Sequence, residues 1–296
     1  MFNNKEYLSF IEKSKKDKLD IVVASVVNTL GSTYAKSGNM MLINSNFESV
    51  GVLGSPALHK KILDLSKQTL NSKEIIFFKN EPKSKSSGHG ISNYLVEAFF
   101  YEDDYSALGE ALVNIGKTLV RNIYTSEYSF LDKKSEIKFE NNLFYQSIEF
   151  PYSLLIFGSG DHVTSLIEMA NLMGWRTTVI DTNIKKQTVL NADYLIQLDK
   201  IEDINNMDLT TYNSSVILSH SPIKDDIYLE ALLKSKVEYI GVLGNKKNMQ
   251  KKKNKFNLEN DKRFYAPVGL DIGGTTHQSI ALSICSQIEA RKNGKI

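Results

Sequence analysis

Short apolar runs punctuate this chain, and what separates them changes past its midpoint. In the first half, IVVASVVNTL (21–30), MMLIN (40–44), SVGVLG (49–54), EIIFF (74–78) and YLVEAFFY (94–101) are short and rich in β-branched or aromatic residues, which predicts strands. Residues 5–17 set Tyr7, Phe10 and Ile11 on one face, and PALHKKILDLSKQTL (56–70) sets Leu58, Ile62, Leu63 and Leu65 in one stripe, so both predict helices. GSTYAKSGN (31–39) and KNEPKSKSSGHG (79–90) are turn-rich or polar loops, and ALGEALVNIGKTL (107–119) predicts a third helix. Residues 120–150 read as short strands and polar turns. DKKSEIKFENN (132–142) is their most linker-like piece, and a domain boundary is expected near residue 140.

From Pro151 the grammar changes. An apolar strand (153–157) meets a glycine turn and a helix, TSLIEMANLMG (164–174). TTVID (177–181), YLIQL (194–198) and SVILSH (215–220) follow as strands. A helix, DDIYLEALLKS (225–235), leads into YIGVLG (239–244), then GLDIGG (269–274) and a closing helix from about 276 to 291. Strands alternating with helices predict βαβ units and a parallel sheet. The expected fold class is therefore α/β: a small N-terminal α/β domain (1–140) and a C-terminal Rossmann-like domain with a parallel sheet (141–296). A ligand is expected in the cleft between them, since pockets favour domain interfaces.

The glycine turn carries the first candidate chemistry. Gly158-Ser159-Gly160 follows a strand and opens a helix, the context a dinucleotide-binding turn requires. The first glycine permits the tight turn, the second lets backbone approach a phosphate, and the helix N-terminus offers free N–H groups to an anion. Asp161 and His162 continue the turn, and Val163 holds the third glycine position, which predicts looser helix–strand packing. Asp181, ending the next strand, is placed to accept hydrogen bonds from a ribose or similar diol. Parallel strands direct their C-terminal ends to one edge. The loops there bring His220, Ser221 and Asp225 from SHSPIKDD, Gly244 and Asn245 from VLGNKKN, and Asp271 and Gly273 from GLDIGGTTH. His220 and Asp225 also admit a plain reading, as caps of a strand and of the following helix.

Composition changes the picture mainly by exclusion. A net charge of +2 in 296 residues steers toward neither nucleic acid nor membrane. The Lys run 246–255 reads as a solvated helix face, because it lacks interleaved aromatics. The single cysteine, Cys285, permits no internal disulfide and no thiolate-based zinc site. It sits in ALSICSQI, which reads as a packed helix. No apolar run reaches the length that spans a bilayer, and the cytoplasm is the expected compartment.

The order of blocks resembles the XdhC/CoxI family, the maturation factors of xanthine dehydrogenase and related molybdenum hydroxylases. GSTYAKSGNMMLI is similar to its N-terminal signature, and EFPYSLLIFGSGDHVTSLIEMANLMGWRTTVID to its Rossmann entry. SHSPIKDD, YIGVLGNKKN and APVGLDIGGTTHQSIALSICSQIEARKNG resemble its later blocks, in order. The resemblance implies a non-catalytic chaperone that binds the pterin-based molybdenum cofactor (molybdopterin), protects it or promotes its sulfuration, and passes it to an apo-hydroxylase. A cysteine desulfurase partner and a homodimer belong to the same implication. So does a phosphate of the cofactor lying over Gly158 and Gly160, with the N-terminal domain covering the molybdenum end.

This sequence departs from the family pattern where thiols are expected. Ala57, in GVLGSPALHKK, stands at the position of a cysteine, and His59 at that of an acid. The later loop SSGHGIS (86–92) also lacks a thiol. Thiolates are the usual soft ligands and sulfur carriers. His59 and His89 lie near these positions and read as unrelated surface histidines rather than a metal site. In the second half, Val163, Ser221 and His277 depart from the pattern. Gly158, Gly160, Asp181, His220, Asp225, Gly244, Gly269, Asp271 and Gly273 keep it. Two other readings stay open: an NAD(P)-dependent oxidoreductase, with Asp181 favouring NAD and only His162 and His220 near the edge, and a degenerate scaffold or regulator.

Overall fold

The computed structural model describes residues 1–81 and 90–296, so His89 and most of the loop before it lie outside the described residues. The chain forms two compact units, Met1–Phe150 and Pro151–Ile296.

In the first unit, α1 (Lys5–Lys16) precedes a five-stranded antiparallel sheet in the order β3-β2-β1-β5-β4. Its strands are β1 (Ile21–Leu30), β2 (Met40–Asn44), β3 (Ser49–Val50), β4 (Ile76–Asn80) and β5 (Ile91–Phe99), with α2 (Pro56–Ser72) between β3 and β4. Alternation along β1 divides the core. Val22, Ala24 and Val26 pack with Leu58 and Ile62 of α2, while Ile21 and Val23 join Ile11 of α1 and Leu108. A short helix α3 (Ser106–Ala111) leads into a second antiparallel sheet, β7-β6-β9-β8. It comprises β6 (Thr118–Asn122), β7 (Tyr128–Leu131), β8 (Lys138–Glu140) and β9 (Leu143–Ser147). Arg121 of β6 is buried; it donates to Glu97 of β5 (3.0 Å), Ser25 of β1 (3.3 Å) and Gln146 of β9 (3.2 Å), joining the two sheets.

Three expectations change here. The helix expected over 107–119 stops at Ala111, because Asn114 bonds back to the Glu110 carbonyl (2.9 Å) and Gly116 turns at φ +89°. Thr118 and Leu119 then pair as strand residues with both β7 and β9. The third strand ends at Val50, since Gly51 takes φ +94°. The linker-like stretch contains β8, which pairs with β9, so the seam between units falls at Phe150–Pro151 rather than near residue 140.

The second unit has three layers. Its sheet runs β12-β11-β10-β13-β14-β15, every pair parallel. The strands are β10 (Ser153–Phe157), β11 (Arg176–Asp181), β12 (Tyr194–Gln197), β13 (Ser214–Ile217), β14 (Tyr239–Val242) and β15 (Phe264–Tyr265). On one face, Leu154, Ile156, Val179 and Val216 meet α4 (Asp161–Leu172) and α7 (His277–Lys292). On the other, Leu155, Phe157, Ile180 and Ile217 meet α5 (Pro222–Leu233) and α6 (Lys246–Phe256). Both sheet faces are covered, which is why these strands read as unbroken apolar runs. Strand order reverses between β10 and β13, and such a switch point opens a crevice at the strands' C-terminal ends. Val163 is fully buried between α4 and the sheet, filling the third glycine position.

Candidate functional site

The two loops flanking the switch point touch directly. Gly158 has φ +107°, and a Cβ there would stand 2.7 Å from the Leu218 carbonyl oxygen. Its role is thus a close approach between the loops after β10 and β13, as well as the turn itself. Ser159 is buried and committed internally. Its hydroxyl lies 3.0 Å from Asp181 Oδ2 and accepts from the Lys185 N–H at 3.2 Å, while Thr188 donates to its carbonyl at 2.6 Å. Gly160 is the N-cap of α4, and Asp161 is that helix's first residue.

Asp181 is also committed. It accepts from the Lys224 ammonium (3.0 Å), Ser159 and the Thr182 N–H (2.7 Å), and Lys224 donates to the Thr182 hydroxyl at 2.7 Å. Burial alone would raise the Asp181 carboxyl, but the Lys224 ammonium and the Ser159 hydroxyl more than offset it and hold it below the ordinary carboxylate range. A carboxylate that reads a ribose diol must have lone pairs to accept from it. Here a lysine already bonds one of its two oxygens, Oδ1. Lys224 escaped the sequence reading, although a lysine in the first turn of a helix opposes the macrodipole and so signals a local partner.

Three histidines gather beside this pair. His162 Nε2 lies 3.1 Å from the Leu218 carbonyl, and His162 Nδ1 lies 3.2 Å from His220 Nε2. A carbonyl only accepts, so His162 carries its proton on Nε2 and its Nδ1 accepts from His220 Nε2. Burial lowers the His162 ring below the ordinary imidazole range, and His220 reinforces this. His277, the first residue of α7, brings its ring centroid to 6.2 Å from that of His162. The sequence reading noted it only as a departure from a family pattern, because its approach to His162 arises from packing between α7 and α4. His220 itself sits at φ +54°, a strained conformation of the kind that concentrates at functional sites.

Around His220 the surface opens into two lobes. The first, of about 150 Å³, is walled by His162, His220 and His277 and floored by Leu166, Leu218, Leu243, Ile280, Ala281 and Ile284. The second, of about 430 Å³, lies between α5 and α6 and is lined by Asp225, Asp226, Gly244, Asn245, Asn248, Lys251, Lys252 and Lys255 among others. His220 and Leu243 line both. Of the residues singled out in the sequence, His162, His220, Asp225, Gly244 and Asn245 therefore meet at one depression. Gly158, Ser159, Gly160, Asp161 and Asp181 support it from behind and line neither lobe, and Asp271 and Gly273 lie on the exposed loop before α7. Burial raises the Asp225 carboxyl, against the pull of a 2.6 Å hydrogen bond from Ser219. The lysine run is not simply a solvated face, because Lys252 is buried and both it and Lys255 bind Asp226.

Elsewhere the chemistry is quiet. Ala57 is exposed in the first turn of α2, and His59 Nε2 accepts from the Leu53 N–H at 3.1 Å, fixing the preceding loop. Cys285 is packed in the core, and burial pushes its thiol up to about 12. Among the described residues, no cluster of three or more His, Cys, Asp or Glu side chains is arranged to hold a metal ion. No helix there is long and apolar enough to cross a membrane.

The profile described as XdhC Rossmann domain matches residues 154–288, and that of the XdhC and CoxI family matches residues 15–78. One match falls in each compact unit, and together they span well over half the chain. The chain belongs to the XdhC and CoxI family. It is 24% identical to a Bacillus subtilis (strain 168) protein described as a probable subunit of xanthine dehydrogenase, with 92% of this chain and 93% of that protein covered. A crystal structure of a protein from Bacillus halodurans, described as a xanthine dehydrogenase, superimposes with a TM-score of 0.83 at 21% identity. It covers 100% of this chain and 97% of that one, so this XdhC-family fold extends over the full length.

Proposed function

We propose that this protein is an accessory factor for a xanthine dehydrogenase-type molybdenum hydroxylase, binding the pterin-based cofactor and handing it to the apo-enzyme without catalysing a reaction of its own. Membership of the XdhC family and the name of the Bacillus subtilis relative support the association. The observation that carries a binding role is the two-lobed depression at the switch point of the parallel sheet, where His220 and Leu243 join an apolar lobe to a polar one. An apolar slot with a few convergent polar groups is the ordinary form of a small-molecule site. Direct sulfur transfer is not part of this role. Cys285 is buried with its thiol pushed up to about 12, and the thiolate is the form that carries sulfur. Where sulfur must be added, a partner such as a cysteine desulfurase supplies it.

An NAD-dependent oxidoreductase fits less well. Lys224, the Thr182 N–H and Ser159 already bond the carboxylate that would read the ribose, and Lys224 offsets its charge. The two readings separate in a thermal-shift titration, because a ligand that binds only the native state raises the melting temperature once its concentration passes Kd. Molybdopterin released anaerobically from a molybdenum hydroxylase is expected to raise it, and Gly160→Trp, which must displace the His162 ring, is expected to abolish that rise. No shift with molybdopterin refutes the chaperone role. A shift with NADH and turnover of a carbonyl substrate establishes the oxidoreductase instead.

A further inference from the structure

We infer that the depression around His220 reads its ligand in two parts, the apolar histidine lobe taking a flat heterocycle and the α5–α6 lobe taking a phosphate group attached to it. This deepens the proposed function and rests on it for the identity of the natural ligand, but the chemistry is argued from the two lobes. The phosphate is thereby assigned away from the Gly158–Gly160 turn.

Charge decides between the two places. Asp161 opens α4 at the glycine turn, Asp181 lies behind it, and Ser159 has its hydroxyl engaged by Asp181 and the Lys185 N–H. A phosphate there would meet two carboxylates, and Lys224 is already bonded to Asp181 and Thr182. In the α5–α6 lobe, Lys251, Lys252 and Lys255 line the same cavity. Asp226 engages Lys252 and Lys255 from one side, which fixes them without using all three donors of either ammonium. Lys251 is exposed on the same helix. The other carboxyl of the lobe, Asp225, is raised by burial and bonded by Ser219, so it opposes an anion less than a free carboxylate would. The first turn of α6 contains no acid.

The apolar lobe suits the other end. Leu166, Ile280, Ala281 and Ile284 offer a floor without hydrogen-bonding groups, and three imidazoles form the walls. A planar heterocycle with polar groups at its edge suits both. His220 and Leu243 line both lobes, so the two adjoin and a ligand reaching from one to the other passes these two residues.

The test compares a fluorescent heterocycle with and without phosphate on the full chain: 6-hydroxymethylpterin and its phosphate ester, titrated by fluorescence at two ionic strengths. The ester is expected to bind about tenfold tighter than the alcohol or better, the scale of one charge-assisted contact, with the gap narrowing at high salt. Lys251→Glu is expected to bring the ester to the affinity of the alcohol while leaving the alcohol unchanged. His277→Trp, at an exposed wall of the apolar lobe, is expected to weaken both together. Circular dichroism and melting temperature check that each variant folds. Equal affinity of ester and alcohol, a gap that survives Lys251→Glu, or no binding of either probe overturns the assignment. If the ester is preferred and Lys251 matters but molybdopterin does not bind, the lobe assignment stands and the chaperone role falls.

Discussion

The two glycines of the Gly158-Ser159-Gly160 turn look equivalent in sequence, yet the structure predicts unequal consequences for replacing them. At Gly158 an alanine must adopt φ +107°, well outside the small left-handed basin open to L-residues. Holding a residue in so sparsely populated a conformation costs about 1–3 kcal/mol. Its methyl would also lie 2.7 Å from the Leu218 oxygen and 2.9 Å from Leu218 C and Ser219 Cα. These are backbone atoms of a loop anchored on β13, so relief requires moving the loop, and overpacking of this kind costs about 1–3 kcal/mol more. The expected loss for Gly158→Ala is about 2–6 kcal/mol. At Gly160, φ is −73°, which alanine adopts freely. The new methyl meets only the His162 ring, at 2.8 Å from Cε1. Rotating that ring gives up its bonds to Leu218 and His220, about 1 kcal/mol each when made, while the stiffer unfolded chain returns about 0.4–1 kcal/mol. The net for Gly160→Ala is a loss of about 1–1.6 kcal/mol, with further damage falling on the pocket. Urea unfolding followed by the fluorescence of Trp175, the chain's single tryptophan and buried in the second unit, reads both variants. A Gly158→Ala protein within about 0.5 kcal/mol of wild type, or a Gly160→Ala protein destabilised as much as Gly158→Ala, refutes the argument.

Further outcomes follow from the same contacts. Lys224→Met strips Asp181 of its ammonium in a mostly buried setting, with an expected cost of about 1–3 kcal/mol at pH 7. Because the folded Asp181 carboxyl lies below its ordinary value, the wild-type advantage is full above the unfolded pKa near 4 and fades as pH falls through the folded one; equal stability of the two proteins at pH 7 refutes it. Cys285 is expected to resist a thiol reagent such as DTNB in the native protein and to react on adding urea; rapid native labelling would reopen a sulfur-carrying role. In the first unit, Glu97→Ala leaves the buried Arg121 guanidinium without its carboxylate, a loss of about 3–5 kcal/mol, with Glu97→Gln milder because its amide oxygen still accepts. Chemical denaturation of the pair measures the difference, and a silent Glu97→Ala would show that the network contributes nothing to stability.

Local pattern alone determined a good deal of this protein. Strands β10, β11, β13 and β14 were legible as apolar runs because both faces of a parallel sheet are covered. The glycine turn and Asp181 were legible because the turn, the helix start and the strand end are contiguous features of one βαβ unit. The single cysteine permits neither an internal disulfide nor a thiolate-based zinc site. Local pattern misjudged 107–119, where helical spacing was overridden by pairing of Thr118 and Leu119 with strands on both sides. Tertiary structure alone decided what the site is made of. Lys224 reaches Asp181 across 43 positions of sequence, and His220 reaches His162 across 58. No local periodicity carries such information, because it arises only when strand order reverses between β10 and β13 and sets their loops against each other. For the same physical reason the glycine turn is also a packing joint, and the lysine run is one wall of the depression beside it.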